Sequence, residues 1–183
     1  MGKFSLLIIV VLLFSGCHSA AKIDQYILKS SQQATYEASK EVLLTGLKKW
    51  PTDERLLYNL SIVESYQGDF ESSIETLKRL NALTDEENVK YLKALAGVAL
   101  KEGQEEEALN YYLKVVQNDP LDSQTRFKAA KMLTSFERYD EAFQLIYQAY
   151  RNGDYSKQVF EELASIEELR GNDPTPWEII RDL

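Results

Sequence analysis

At 183 residues the chain has room for one ordinary domain or one short repeat array, not for two large folded units. Its 44% hydrophobic and 27% charged content excludes a disordered chain, and a net charge of −8 argues against a surface that coats nucleic-acid phosphates. The sole cysteine, Cys17, and the sole histidine, His18, stand side by side, which excludes an internal disulfide, the usual zinc ligand sets and Ser-His or Cys-His nucleophilic machinery.

Residues 1–16 begin with Lys3, continue through the apolar run Phe4 to Phe14 and end in Ser15 and Gly16, the outline of an export signal. The run is too short for a membrane-spanning helix, which needs roughly 20 apolar residues. Phe14-Ser15-Gly16-Cys17 resembles the lipobox of bacterial lipoproteins, departing from it at Phe14, where Leu, Val or Ile is usual. That resemblance implies removal of residues 1–16, acylation of Cys17 as the new N-terminus, and a mature chain of residues 17–183 in the cell envelope. Two or more acyl chains hold a protein stably at a bilayer. His18, in place of an Asp after the cysteine, resembles the outer-membrane class.

From residue 20 onward the chain repeats. A first copy, residues 20–53, has a second helix marked by Tyr36, Ser39, Leu43, Gly46, Leu47 and Pro51, whereas in its first helix Ile27 replaces an expected small residue. Residues 54–88 carry Leu57, Leu60, Ser61, Gly68, Phe70, Ser73, Leu77 and Leu80, and residues 89–122 carry Leu92, Leu95, Ala96, Ala99, Gly103, Ala108, Tyr112, Val115 and Pro120 at matching offsets. Residues 123–156 continue with Ala129, Ala130, Leu133, Tyr139, Ala142, Ile146 and Ala149, with Glu137 where the second and third copies place a glycine. This spacing resembles the 34-residue tetratricopeptide repeat (TPR), and fixed-period self-similarity is the signature of a solenoid. The resemblance implies an all-α array of helical hairpins coiling as a right-handed superhelix. No hairpin buries its apolar face alone, so neighbours stack and the ends need caps.

Residues 157–183 are expected to supply that cap, with Phe160, Leu163, Ala164 and Ile166 on one helix and Thr175-Pro176-Trp177-Glu178 opening a last one as a capping box. Thr84 with Glu87 predicts a similar box before the third copy, whose 35-residue offset suggests a lengthened first helix. The eleven tyrosines and both tryptophans read as core and inter-repeat packing.

In the family resembled, the first helices of successive repeats line a concave groove. The register places Arg55, Tyr58, Asn59 and Ile62 there from the second copy, Lys90, Lys93, Gly97 and Lys101 from the third, and Phe127, Lys128, Lys131 and Thr134 from the fourth. The first helices of the third and fourth copies, Val89 to Lys101 and Ser123 to Phe136, contain six basic residues and no acidic one inside an acidic chain. Segregated charge of this kind steers a partner bearing an acidic segment. Lys93 and Lys131 are expected on adjacent helices facing one surface. Asn59 and Lys90 coincide with two positions of the family's carboxylate clamp, but Asp24, Leu28 and Ala94 break the rest.

The function expected is a membrane-tethered, non-catalytic adaptor holding a protein or peptide partner, in envelope assembly, secretion, pilus biogenesis or transport. It needs no cofactor or metal and binds no nucleic acid; the oligomeric state is open. The competing reading is a cell-wall or glycan-acting enzyme, or a ligand-binding lipoprotein. Abundant carboxylates keep it alive, with Glu161 and Glu168 as its acid pair.

Overall fold

The computed structural model describes residues 19–84 and 88–181, so Cys17, its lipobox and Glu87 lie outside the described residues. All regular structure among those residues is helical. The chain divides into two compact units, Met1–Glu86 and Glu87–Leu183.

In the first unit, α1 covers residues 19–31 and is followed by α2 (Tyr36–Leu47), α3 (Glu54–Gln67) and α4 (Phe70–Ala82). Each start after α1 is fixed by a short polar side chain taking an orphan backbone N–H. Thr35 accepts from Ala38 at 3.2 Å, Asp53 from Arg55 and Leu56 at 3.1 Å, and Asp69 from Ser72 at 3.3 Å. Leu43, Leu56, Leu57, Leu77 and Leu80 form the buried core, each contributing on the order of 1.5–3 kcal/mol of transfer free energy.

Close helix approach is visible in atoms. A Cβ on Gly46 would meet the Leu56 side chain at 3.1 Å and the Tyr26 ring at 3.3 Å, tighter than ordinary contact. Where hairpin helices come nearest, serines satisfy each other's backbone: Ser39 Oγ donates to the Ser30 carbonyl at 2.9 Å and Ser73 Oγ to that of Ser61 at 2.8 Å. A hydroxyl is small enough for the gap and supplies its own buried partner.

The second unit runs α5 (Val89–Lys101), α6 (Glu105–Asn118), α7 (Ser123–Ser135), α8 (Tyr139–Arg151), α9 (Lys157–Leu169) and α10 (Thr175–Arg181). Its core joins Ala96, Leu109, Ala129, Ala130, Leu133, Ala142, Ile146 and Leu163. The alanines let helix axes approach while branched neighbours fill the grooves. On α10, Trp177 lies against the rings of Phe143, Tyr147 and Tyr150 at centroid distances of 6.2, 6.0 and 5.6 Å. That short helix closes over α8.

Several local expectations need correction. The entry to α5 is capped by Asn88, which accepts the Lys90 N–H at 3.1 Å, while the Thr84 hydroxyl donates backwards to the Asn81 carbonyl. Helices α5 and α7 are both 13 residues long, so the extra residue of the 35-residue interval is not in α5. At α10 the first helical carbonyl is that of Pro174, which accepts from Trp177 and Glu178, and the Asp173 carboxylate takes the Thr175 N–H at 3.0 Å. An Asp side chain two residues upstream thus does the work assigned to Thr175. The tyrosines are not all core either: Tyr36 and Tyr66 are 49% and 65% exposed. At the bend between α7 and α8, Glu137 adopts φ +58°, the left-handed backbone found at Gly68, Gly103 and Gly171 in the other bends.

Candidate functional site: the first-helix faces

Helices α5, α7 and α9 are the successive first helices of the second unit, and ionic interactions run between them. Lys93 on α5 places Nζ 2.7 Å from Oδ2 of Asp122, the residue that caps α7. Burial opposes charge on Asp122, yet hydrogen bonds from Lys93 and from Thr125 hold its carboxyl below the ordinary aspartate value. Lys131 on α7 acts on half-buried Glu162 of α9. Burial pushes the Glu162 carboxyl above its usual range, the Lys131 charge pulls it down and neighbouring Glu161 raises it. Lys93 thus bridges directly from α5 to the cap of α7, whereas Lys131 acts on α9 through its charge.

The six basic residues do not form one open patch. Arg126 is buried at 4% exposure, with a guanidinium nitrogen donating to the Pro120 carbonyl and its Nε without a partner. Lys128 is exposed and lies 6.0 Å over the Tyr112 ring; Lys90 is exposed over Tyr91 at 5.6 Å. Lys101 is exposed at the end of α5. Phe127 is half-buried against the core, carrying the face's apolar component. Sequence pattern missed Asp122 and Glu162 because each lies on a flanking element. The i, i+3, i+4 rule reads one helix at a time.

In the first unit, Arg55 pairs with Asp24 of α1 at 2.6 Å and with Asp53 at 3.6 Å. Asn59 Nδ2 donates to the Arg55 carbonyl at 2.8 Å, Tyr58 is half-buried and Ile62 is exposed. Asn59 and Ile62 border a cleft between α1 and α3. The clamp position occupied by Asp24 is thus engaged by Arg55.

Two further inter-repeat clasps end on second helices: Arg138, just before α8, reaches Glu106 of α6 at 3.4 Å, and Arg170, just after α9, reaches Asp140 of α8 at 2.8 Å. Glu161 is exposed and paired with Lys157 at 3.6 Å, and Glu168 is exposed on the same helix. No group of three or more His, Cys, Asp or Glu among the described residues is placed to hold a metal ion. No helix among them is long and apolar enough to cross a membrane.

The Tetratricopeptide repeat family model matches residues 58–123 and again residues 93–157. The chain belongs to the tetratricopeptide repeat family. No curated protein matches it in sequence. Among solved structures, the TPR chain is similar to MamA (TM-score 0.65, 13% identity, covering 87% of this chain and 89% of that one). It is also similar to MamA AMB-1 (TM-score 0.65, 20% identity, 91% of each chain). A tetratricopeptide repeat protein from Parabacteroides merdae ATCC 43184 superposes with TM-score 0.66 at 20% identity, over 81% of this chain and 60% of that one. At such identities the likeness shows the fold. TPR folds are protein–protein interaction scaffolds and are generally not catalysts.

Proposed function

We propose that this TPR protein is a non-catalytic adaptor, held at a bacterial envelope membrane by lipid at Cys17, that binds a protein or peptide partner on its first-helix faces. The observation that carries the reading is the α5–α7–α9 face, where Phe127, Lys128 and Lys131 present apolar surface and cations together, with Lys93 bridging to Asp122. A partner's carboxylates would meet Lys128 directly and compete with Glu162 for Lys131. The attraction is electrostatic and therefore salt-sensitive. Outer-membrane residence and a role in envelope assembly, secretion, pilus biogenesis or transport remain part of the same proposal, supported by the residues around Cys17.

Two variants test it. Cys17→Ala should abolish acyl labelling and shift the protein from membrane to soluble fractions; unchanged membrane retention sinks the anchor. Lys128→Ala with Lys131→Ala should reduce partner recovery from membrane extract, most strongly at low salt. Substituting alanine leaves the Lys93–Asp122 pair intact, so melting should stay within about 0.5 kcal/mol of wild type, as for most surface changes. Equal, salt-insensitive recovery would reject this face.

A further inference from the structure

The first unit carries a cleft unlike the charged face of the second. It has a volume of about 540 Å³ and lies between α1, the turn before α2, and α3. None of the residues lining it is charged, in a chain that is 27% charged, whereas three other surface clefts each include acidic or basic side chains. Beside it Tyr36 and Tyr66 stack nearly parallel, 5.7 Å apart and inclined by 11°, although both are about half exposed or more. Ile62 adds an exposed apolar side chain. Two stacked aromatic rings with about half or more of their surface in water, set at an uncharged cleft beside an exposed isoleucine, form an amphipathic recognition surface.

The polar lining selects among ligands. Asn59 gives one amide N–H to the Arg55 carbonyl at 2.8 Å, and Gln33 gives one to the Lys29 carbonyl at 2.6 Å. A primary amide has two such protons, so each retains a donor. A polyproline II segment matches this offer: it has no internal hydrogen bonds, its carbonyls need donors, and its prolines contribute no N–H in return. Proline rings pack on aromatic faces, and the preformed helix loses little entropy on docking. A charged ligand would be stripped of water here with no counter-charge to receive it.

We propose that the α1–α3 cleft is a second binding site, for an uncharged proline-rich segment of a partner protein held in the polyproline II conformation. It is independent of the lysine-bearing face. The Tyr36–Tyr66 pair grips proline rings, and Asn59 and Gln33 hydrogen-bond the segment's carbonyls.

The test uses the full-length protein in detergent, titrated with acetylated, amidated hexaproline and with a Gly-Ser peptide of equal length. Hexaproline should bind saturably and the Gly-Ser peptide at least about tenfold more weakly, a difference of about 1.4 kcal/mol. Tyr36→Ala with Tyr66→Ala should weaken binding by about tenfold or more, as loss of aromatic anchors does. Tyr66→Phe keeps the ring and should bind as wild type, as should the Lys128→Ala, Lys131→Ala protein. Raising sodium chloride should leave the affinity unchanged, because no ion pair forms. Failure to bind hexaproline, or binding that survives loss of both rings in a folded protein, overturns the proposal. Tighter binding of the neutral glycan chitotetraose than of hexaproline would overturn it in favour of a saccharide site.

Discussion

Glu137 shows how a single residue departs from a repeat without breaking it. Its φ of +58° is the only positive value outside glycine among the described residues. An L-residue held in the left-handed region costs roughly 1–2 kcal/mol relative to the right-handed one. Glu137→Gly removes that strain but enlarges the unfolded ensemble by about 0.4–1 kcal/mol. A net gain between about 0 and 1.6 kcal/mol in urea unfolding is expected; a loss would show the bend to be unstrained. The glycine offset was legible in the sequence because a bend repeats at a fixed place. Arg126 was not, since it occupies the position of Leu57 and Leu92, and a charged residue gives no apolar signal to count. Its buried guanidinium has one carbonyl partner and no carboxylate. Arg126→Leu should therefore fold with equal or greater stability, as buried charges replaced by apolar residues often do. A loss of more than about 1 kcal/mol would mean that the Pro120 contact outweighs desolvation.

At the scale of elements, helix existence was legible because apolar spacing and N-cap residues agree with one another, and α2 through α9 each span about three to four turns. Entry points were less legible. Asx-type capping by Asn88 and Asp173 competes with Ser/Thr boxes, and the sequence alone does not say which side chain reaches the orphan N–H groups. Asp122 links this level to the charged face, capping α7 while pairing with Lys93 across to α5, its side chain only 10% exposed. Because its folded pKa lies below the ordinary 3.8, the stability it supplies is complete above the unfolded value. It is lost as pH falls through the folded value. Asp69 behaves alike, held low by its hydrogen bonds with Ser72 and Lys40. Asp122→Asn keeps a cap of similar strength and removes only the charge. Urea midpoints should show the variant weaker at pH 6, with the gap closing below about pH 3.8 as wild-type Asp122 protonates. A gap independent of pH would place the effect in packing rather than in the ion pair.

At the scale of the molecule, the repeat period carried the fold into view because successive similar hairpins reinforce one pattern, and the family model matches that pattern over residues 58–123 and 93–157. The candidate site was only partly legible. Exposure of Lys128, Lys131 and Ile62 follows from their register, but the balancing carboxylates of Asp122 and Glu162 come from neighbouring elements. The Tyr36–Tyr66 pair joins residues thirty positions apart that apolar counting assigned to packing. A folded TPR scaffold therefore offers two chemically different surfaces, one charged and one neutral, on separate units. On the charged face of the second unit, the first helices and not the second are expected to meet a protein partner. A photo-crosslinking side chain placed at Lys128 on α7, or at Gln148 on α8 as the opposing control, tests this in intact cells; both positions are exposed. Illumination should give a discrete, saturable protein adduct from position 128 and none from position 148. Adducts from position 148 alone, or equally from both, would contradict it.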